Sequence, residues 1–377
     1  MKHSEVKLEL INDIDMYNMV EKGIRGGVSM ISGRYAEANE PRMDTYDSSK
    51  PIKSLLYLDA NSLYPTAMSM PLPIDQFEFV KDPESIDFAN VDDDAEFGYI
   101  FEVDGLTPED KHDLFNDYPL IPKKMRVDVN KLSALQRQNL AAGKGTEKLI
   151  PHLGSVTKYV VHYKNLKLYT SLGFHITKIH RAIRFRQGPW LQSYMELNVN
   201  QRRQAALDGD KARVATTKLA MNAVFGKTME NVRSHVNIEL ITSNKFVLKR
   251  IARPNFQRAK RFHEELVGVK LIRPDVKLNK PIQSGFTILE LAKAHMVDAY
   301  YNTWLQHFPS SSLLFTDTDS FCVAVEHPDV YAEMAKFKDW FDFSEYPLNH
   351  PLYDETNRKV IVLVVVVYLL LFLKVDT

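Results

Sequence analysis

The segment Phe315-Thr-Asp-Thr-Asp-Ser320 constrains this chain more than any other. Two apolar runs flank it, Ser312-Leu-Leu-Phe315 and Phe321-Cys-Val-Ala-Val325, and their aromatic and β-branched content predicts strands. The acidic residues between them are few enough to form a hairpin turn. If Asp317 and Asp319 keep strand geometry, their side chains share one face and Thr318 points to the other. Two neighbouring carboxylates repel each other and are costly to bury. Cations between them remove that penalty, and hard oxygen ligands suit Mg²⁺. A solvated Asp-Thr-Asp turn is the plainer reading, because both residue types are common in turns.

Two further stretches bear on the choice. Lys53-Ser-Leu-Leu-Tyr-Leu-Asp59 reads as a strand ending in a carboxylate, followed by Ala60-Asn-Ser-Leu-Tyr-Pro65. Sheet edges are where enzymes present reactive groups, although a turn or N-cap aspartate would look the same. Thr217 to Lys227 reads as a helix. On it Lys218, Asn222 and Phe225 fall at i, i+4 and i+7 and share one face. A cation, an amide and a ring in a row can meet a phosphate, a base edge and a flat base or sugar. The alternative is an amphipathic helix with a solvated lysine and a core phenylalanine.

Taken in this order, the three stretches resemble motifs A, B and C of family B DNA polymerases. Asp59-Ala-Asn-Ser-Leu-Tyr-Pro65 is similar to D-x-x-S-L-Y-P, and Asp317-Thr-Asp319-Ser320 to D-T-D-S. Lys218 to Gly226 is similar to K-x-x-x-N-S-x-Y-G, with Ala223 for Ser and Phe225 for Tyr. Tyr57-Leu-Asp-Ala-Asn-Ser-Leu-Tyr64, Asn116-Asp-Tyr-Pro-Leu120, Lys158 to Leu168 and Gly226 to Arg233 narrow the likeness. They resemble polymerases of Maverick/Polinton-type mobile elements and related large DNA viruses, in the organellar and viral, protein-primed branch. The likeness runs from about Val20 to Val360.

The rest of the chain is compatible with this. At 377 residues, 45% hydrophobic and 25% charged, the composition is that of a globular protein of one large or two ordinary domains. One cysteine, Cys322, leaves no internal disulfide and fits a reducing, intracellular compartment, which leaves open the nucleus, a viral replication site or another such location. The first residues lack the apolar core of a secretory signal. Net charge is zero but segregated. Residues 82–113 hold 12 acidic side chains and one lysine, whereas residues 245–280 hold 11 Lys/Arg and three Asp/Glu. Such a basic stretch can face phosphates, or it can be an ordinary solvated surface.

The resemblance implies an α+β fold: a palm, meaning an antiparallel sheet with helices, plus helical fingers, with thumb and exonuclease missing. Residues 1–50 read as a linker after the missing exonuclease, with Gly23-Ile-Arg-Gly-Gly27 similar to a Y-x-G-G-type junction. Residues 51–74 are palm with motif A, and 75–185 an insertion-like region and palm that includes the polar Gly143-Lys-Gly145. Residues 186–232 are fingers, a helix from Pro189 to about Leu207 and another from about Lys211 to Phe225. Residues 233–359 are palm with motif C, including a core helix over Ile288 to Trp304. Residues 360–377 carry an atypical apolar tail. Its 14 apolar residues, Val360 to Leu373, fall short of the 18 or so a membrane crossing needs. A buried strand, a marginal anchor and a mistranslated end all fit it, and no membrane partner is expected.

The activity the resemblance implies is addition of deoxynucleotides to a primer end on a DNA template. Two Mg²⁺ ions roughly 3.5–4 Å apart would lie between Asp59 and Asp319, with the carbonyl of Ala60 as a further ligand and Asp317 in support. Lys218, with Arg202 and Arg203, would meet the triphosphate; Tyr64 would lie under the sugar, and Asn222 and Phe225 would face the nascent base pair. A terminal priming protein is an implied partner. A catalytically inactive DNA-binding remnant and a two-metal nuclease are the competing readings.

Overall fold

The computed structural model describes residues 4–138, 147–273 and 275–358, and the backbone strand Val364–Val367. Gly143-Lys-Gly145 and most of the apolar run 360–373 lie outside the described residues. The architecture is α+β, with sheets that are antiparallel except for one short parallel pair.

The sheet that positions the acids has six strands: β1 (Ser29–Ile31), β2 (Lys53–Ala60), β12 (Ser312–Asp317), β13 (Ser320–Glu326), β14 (Phe341–Asp342) and β15 (Val364–Val367). Their order is β1-β12-β13-β2-β15-β14. β13 is buried from Ser320 to Val325, as an uninterrupted apolar run in mid-sheet should be. β2 alternates instead, with Leu56, Leu58 and Ala60 on the core face and Tyr57 and Asp59 on the half-open face. Period two thus delivers a carboxylate to the open side at the end of the strand. Within the apolar tail, the backbone of Val364–Val367 pairs antiparallel with Tyr57 to Ala60.

Residues 72–188 form a second sheet in the order β3-β8-β4-β7, from β3 (Leu72–Phe79), β4 (Phe97–Leu106), β7 (Val156–His162) and β8 (His175–Gly188). Phe101, Val103, Val161, Ala182 and Phe185 on it are fully buried. The stretch that looks like an insertion therefore contributes the strands β4, β7 and β8 to the core, whereas residues 81–96 and 123–138 have no buried side chain. The acidic residues fall in the connections and in cross-strand ion pairs, such as Arg181 to Glu102 at 2.9 Å and Arg184 to Glu78 at 2.7 Å. A small pair, β5 (Ile121–Met125) with β6 (Lys148–His152), projects from this region.

The helix Ile282–Asp298 is buried on nearly every side and continues into a π-helical turn, Ala299–Trp304. It buries Gln283, Ser284, Thr287, Glu290 and Lys293 beside its apolar residues, so these polar groups must find partners inside the core. It packs against β3, β7 and the helices Ile14–Gly23, Leu63–Met68, Tyr163–Leu172 and Lys211–Thr228. The basic stretch 245–280 forms the helix Asn244–Ile251 and two strands, β10 (Phe256–His263) and β11 (Leu266–Leu271), which join β9 (Asn237–Ile241) in a three-stranded sheet in the order β10-β11-β9. Here β10 is exposed along nearly all its length. Among the described residues no helix is long and apolar enough to cross a membrane.

Candidate active site

The residues after β2 build one wall of a cavity of about 450 Å³. Asp59 is the last residue but one of the strand, and Asn61 and Ser62 turn the chain into the short helix Leu63–Met68. Ser62 adopts left-handed backbone (φ 57°), a conformation that sterics disfavour outside glycine and that clusters at functional sites. Its Oγ accepts a hydrogen bond from Arg202 Nη1 at 3.2 Å, and Asn61 Nδ2 donates to the buried Asp342 Oδ2 at 2.9 Å. Both contacts fix the turn from outside itself.

The second wall comes from the hairpin β12–β13. Ser320 is in register with Asp59, and Ala60 N donates to Asp319 O at 2.7 Å. Asp319 therefore lies beside Asp59 and lines the same cavity. Asp317 does not line that cavity. Thr318 takes φ 64°, which breaks the strand alternation, and Asp317 turns away to accept a hydrogen bond from Ser29 Oγ at 2.5 Å. Strand alternation does not run through this turn: Asp319 lines the cavity and Asp317 does not, while the charge of Asp317 still acts on Asp319.

A helix pair closes the third side. Gln192–Leu207 and Lys211–Thr228 pack together, separated by Asp208-Gly209-Asp210, in which Gly209 has φ 71° and Asp210 caps the second helix through Arg213 N. Lys218, Met221 and Asn222 line the cavity from the second helix and Arg202 from the first. Arg203 is exposed and does not line it. Phe225 lies behind the cavity, its ring stacked on Tyr64 with centroids 4.4 Å apart and planes 17° apart. Tyr64 itself lines the cavity, so Phe225 supports that ring from behind.

Electrostatics follow the burial. Partial burial, with Asp317 adding to it against the pull of Lys218, holds the Asp319 carboxyl above its ordinary pKa. Burial and the charge of Asp319 raise the Tyr64 phenol, and burial lowers the Arg202 guanidinium. The cavity thus sets three carboxylates, Asp59, Asp319 and Glu345, against the cations Arg202 and Lys218, with the Tyr64 ring beside them.

Among the described residues no three His, Cys, Asp or Glu side chains converge as a preformed metal cage. Mg²⁺ rarely uses one: it is usually held by one or two carboxylates, water and substrate phosphates. Asp59, Asp319 and the backbone of Ala60 supply only oxygen donors, which fits that ion. Glu345 is a further carboxylate on the cavity wall, and nothing in its surroundings, Asp342-Phe-Ser-Glu-Tyr346, sets it apart in sequence. Ser29 likewise carries no signal of its own in the sequence, although the double glycine two residues before it marks a place where backbone comes close to something.

The fold is similar to that of phi29 DNA polymerase. The phi29 DNA polymerase complexed with primer-template DNA and incoming nucleotide substrates is similar with a TM-score of 0.54 at 15% identity, covering 91% of this chain and 48% of that one. An orthorhombic crystal form of phi29 DNA polymerase gives 0.52 at 13%, with the same coverage. The phi29 complex with single-stranded DNA gives 0.51 at 12%. This chain spans about half the length of the polymerases it matches, and no protein of curated function matches it by sequence. The family model for DNA polymerase type B, organellar and viral, matches residues 3–253, more than half of the chain. The chain belongs to that family.

Proposed function

We propose that this chain is the nucleotide-adding core of a DNA-directed DNA polymerase, extending a primer end with deoxynucleotides on a DNA template. The observation that carries this is the meeting of Asp59 and Asp319, from distant parts of the sequence, in one cavity opposite Lys218 and Arg202. Residues 51–74 and 233–359 serve as palm and residues 186–232 as fingers. Priming by a terminal protein, and work in a viral or mobile-element genome at the nucleus or a viral replication site, extend the reading.

Asp59, the Ala60 carbonyl and Asp319 would hold two Mg²⁺ ions. When bound, these lower the pKa of the attacking hydroxyl and offset charge on the departing pyrophosphate. Lys218 and Arg202 neutralise the triphosphate and hold it in line with the primer end. Tyr64, backed by Phe225, presents a flat wall to the sugar and excludes a 2′-hydroxyl. Asn222, one helical turn beyond Lys218, faces the forming base pair. Asp317 orients the turn that carries Asp319.

Primer extension by the purified chain with Mg²⁺ and deoxynucleotides tests the reading. Time-dependent extension supports it; DNA binding without extension indicates an inactive remnant, and degradation without added nucleotides indicates a nuclease. Within an active enzyme, Lys218→Ala should raise KM for the nucleotide roughly tenfold or more, about 1.4 kcal/mol, because a charge-assisted hydrogen bond to phosphate is removed. Tyr64→Val should admit ribonucleotides, read as the ratio of the two kcat/KM values; an unchanged ratio removes Tyr64 from sugar selection.

The exposed strand β10 offers a separate group of cations to a nucleic-acid backbone. Arg258 and Lys260 pair in register with Lys270 and Gly268 of the neighbouring strand. Replacing Arg258, Lys260 and Lys270 together by Ala should make the salt dependence of duplex binding shallower, by up to about 0.9 in log–log slope for each phosphate no longer neutralised. A fluorescence-anisotropy titration at several salt concentrations checks it, and an unchanged slope means that this strand faces solvent only.

A further inference from the structure

The turn that carries Asp319 is not self-supporting. Thr318 is β-branched and holds φ 64°, which such residues adopt only under external restraint. The restraint comes from the segment 26–29. Thr318 N donates to Val28 O at 2.8 Å, and Ser29 is in register with Asp317. Gly27 lies so close that a Cβ there would sit 2.3 Å from Thr318 Cγ2, so only glycine fits. Ser29 then donates its hydroxyl to Asp317 Oδ1 at 2.5 Å, joining this segment to the acidic turn through side chains as well as backbone.

The segment is itself anchored in the core. Arg25 stacks on Tyr159 at 3.8 Å, donates to Val160 O and pairs with Glu290 at 3.6 Å. Lys293 donates to Arg25 O at 3.0 Å and pairs with the same carboxylate at 3.3 Å. A buried ionic cluster on the central helix thereby fixes the backbone immediately before Gly26-Gly27.

We propose that Ser29 is a positioning residue for the acidic turn: its hydroxyl, held by the anchored Arg25-Gly26-Gly27 segment, orients Asp317 and so sets where Asp319 presents its carboxylate. Without that bond Asp317 can swing toward Asp319, and the ion-binding carboxylate loses its fixed direction. Groups that orient a metal's direct ligands ordinarily change metal affinity by 10–100-fold when removed. The role of Ser29 rests on the polymerase reading only where primer extension is the readout.

The test compares Ser29→Thr, which keeps the hydroxyl, with Ser29→Val, which has the same shape and lacks it; both β-branched residues suit the exposed strand β1. Mn²⁺ binding to the metal-free protein is followed by electron paramagnetic resonance, alongside the Mg²⁺ concentration that half-saturates primer extension. Ser29→Val should weaken Mn²⁺ binding about tenfold and raise the half-saturating Mg²⁺ similarly. Ser29→Thr should match wild type, with equal melting temperatures throughout. Equal Mn²⁺ affinities for the Thr and Val proteins overturn the proposal. A wild-type chain that binds Mn²⁺ but extends no primer sinks the polymerase activity instead, and the Mn²⁺ comparison still decides on Ser29. Should Ser29→Val not fold, Ser29→Ala replaces it under the same two outcomes.

Discussion

Asp319→Asn is expected to abolish nucleotide addition, by at least about 10³-fold or about 4 kcal/mol of transition-state stabilisation, while the fold survives. Asp59→Asn should do the same, because both carboxylates line one cavity. The stability readout separates a lost ligand from a damaged fold. Partial burial raises the Asp319 pKa, so in the folded state this carboxyl keeps its proton to higher pH than in the unfolded chain. Its contribution to stability is complete below the unfolded pKa and is lost as pH rises through the folded one. At neutral pH the ionised side chain is therefore a burden on the metal-free protein that Asn does not carry. Metal-free Asp319→Asn should melt at or above the wild-type temperature, and added Mg²⁺ should raise the melting temperature of wild type alone. A variant that loses activity and melts far below wild type would assign Asp319 to the fold instead.

The second large effect is on stability. Glu290 is 1% exposed and answers two cations, Arg25 and Lys293, whose side chains are 6% and 7% exposed. Burial pushes the Lys293 ammonium down to about 8 even with Glu290 beside it. Glu290→Gln keeps the shape but leaves two buried cations uncompensated, which costs about 3–5 kcal/mol. That is a large fraction of the roughly 5–15 kcal/mol that holds a typical domain folded. Urea unfolding measures it. Lys293→Met in the Glu290→Gln background should recover part of the loss, since it removes one of the stranded charges. Equal stabilities of wild type and Glu290→Gln would mean that the cluster is solvated and anchors nothing.

Sequence patterning carried the elements built from local rules. The strand carrying Asp59, the hairpin around the acidic turn and the helix pair flanking Asp208-Gly209-Asp210 follow from alternation, apolar runs and capping residues. The second half of the strand β8 does not read as a strand, because Arg181, Arg184 and Arg186 look like surface residues. Their partners Glu102, Glu78 and Asp75 sit on adjacent strands far away in sequence, so the neutralised pairs are invisible locally. β4 is hidden for the same reason, with buried Glu102 interrupting its apolar face.

The site shows the same limit at closer range. Helical spacing correctly puts Lys218 and Asn222 on one face, yet cannot tell that Arg202 meets Ser62 while Arg203 points into solvent. Phe225 shares their helix but ends up behind Tyr64, since the ring it packs on comes from another element. Alternation misplaces Asp317, because the left-handed Thr318 is imposed by Gly27 and Val28 from the opposite end of the chain. Tertiary restraint on a turn leaves no trace in the turn's own residues.

Mn²⁺ binding by wild type, Asp59→Asn, Asp319→Asn and the double variant, each with a deoxynucleoside triphosphate present, addresses the shared site most directly. The account predicts that either single substitution removes most of the affinity and that the double variant is hardly worse than either one. Two independent, additive losses, or a substitution that leaves binding at the wild-type level, would contradict it.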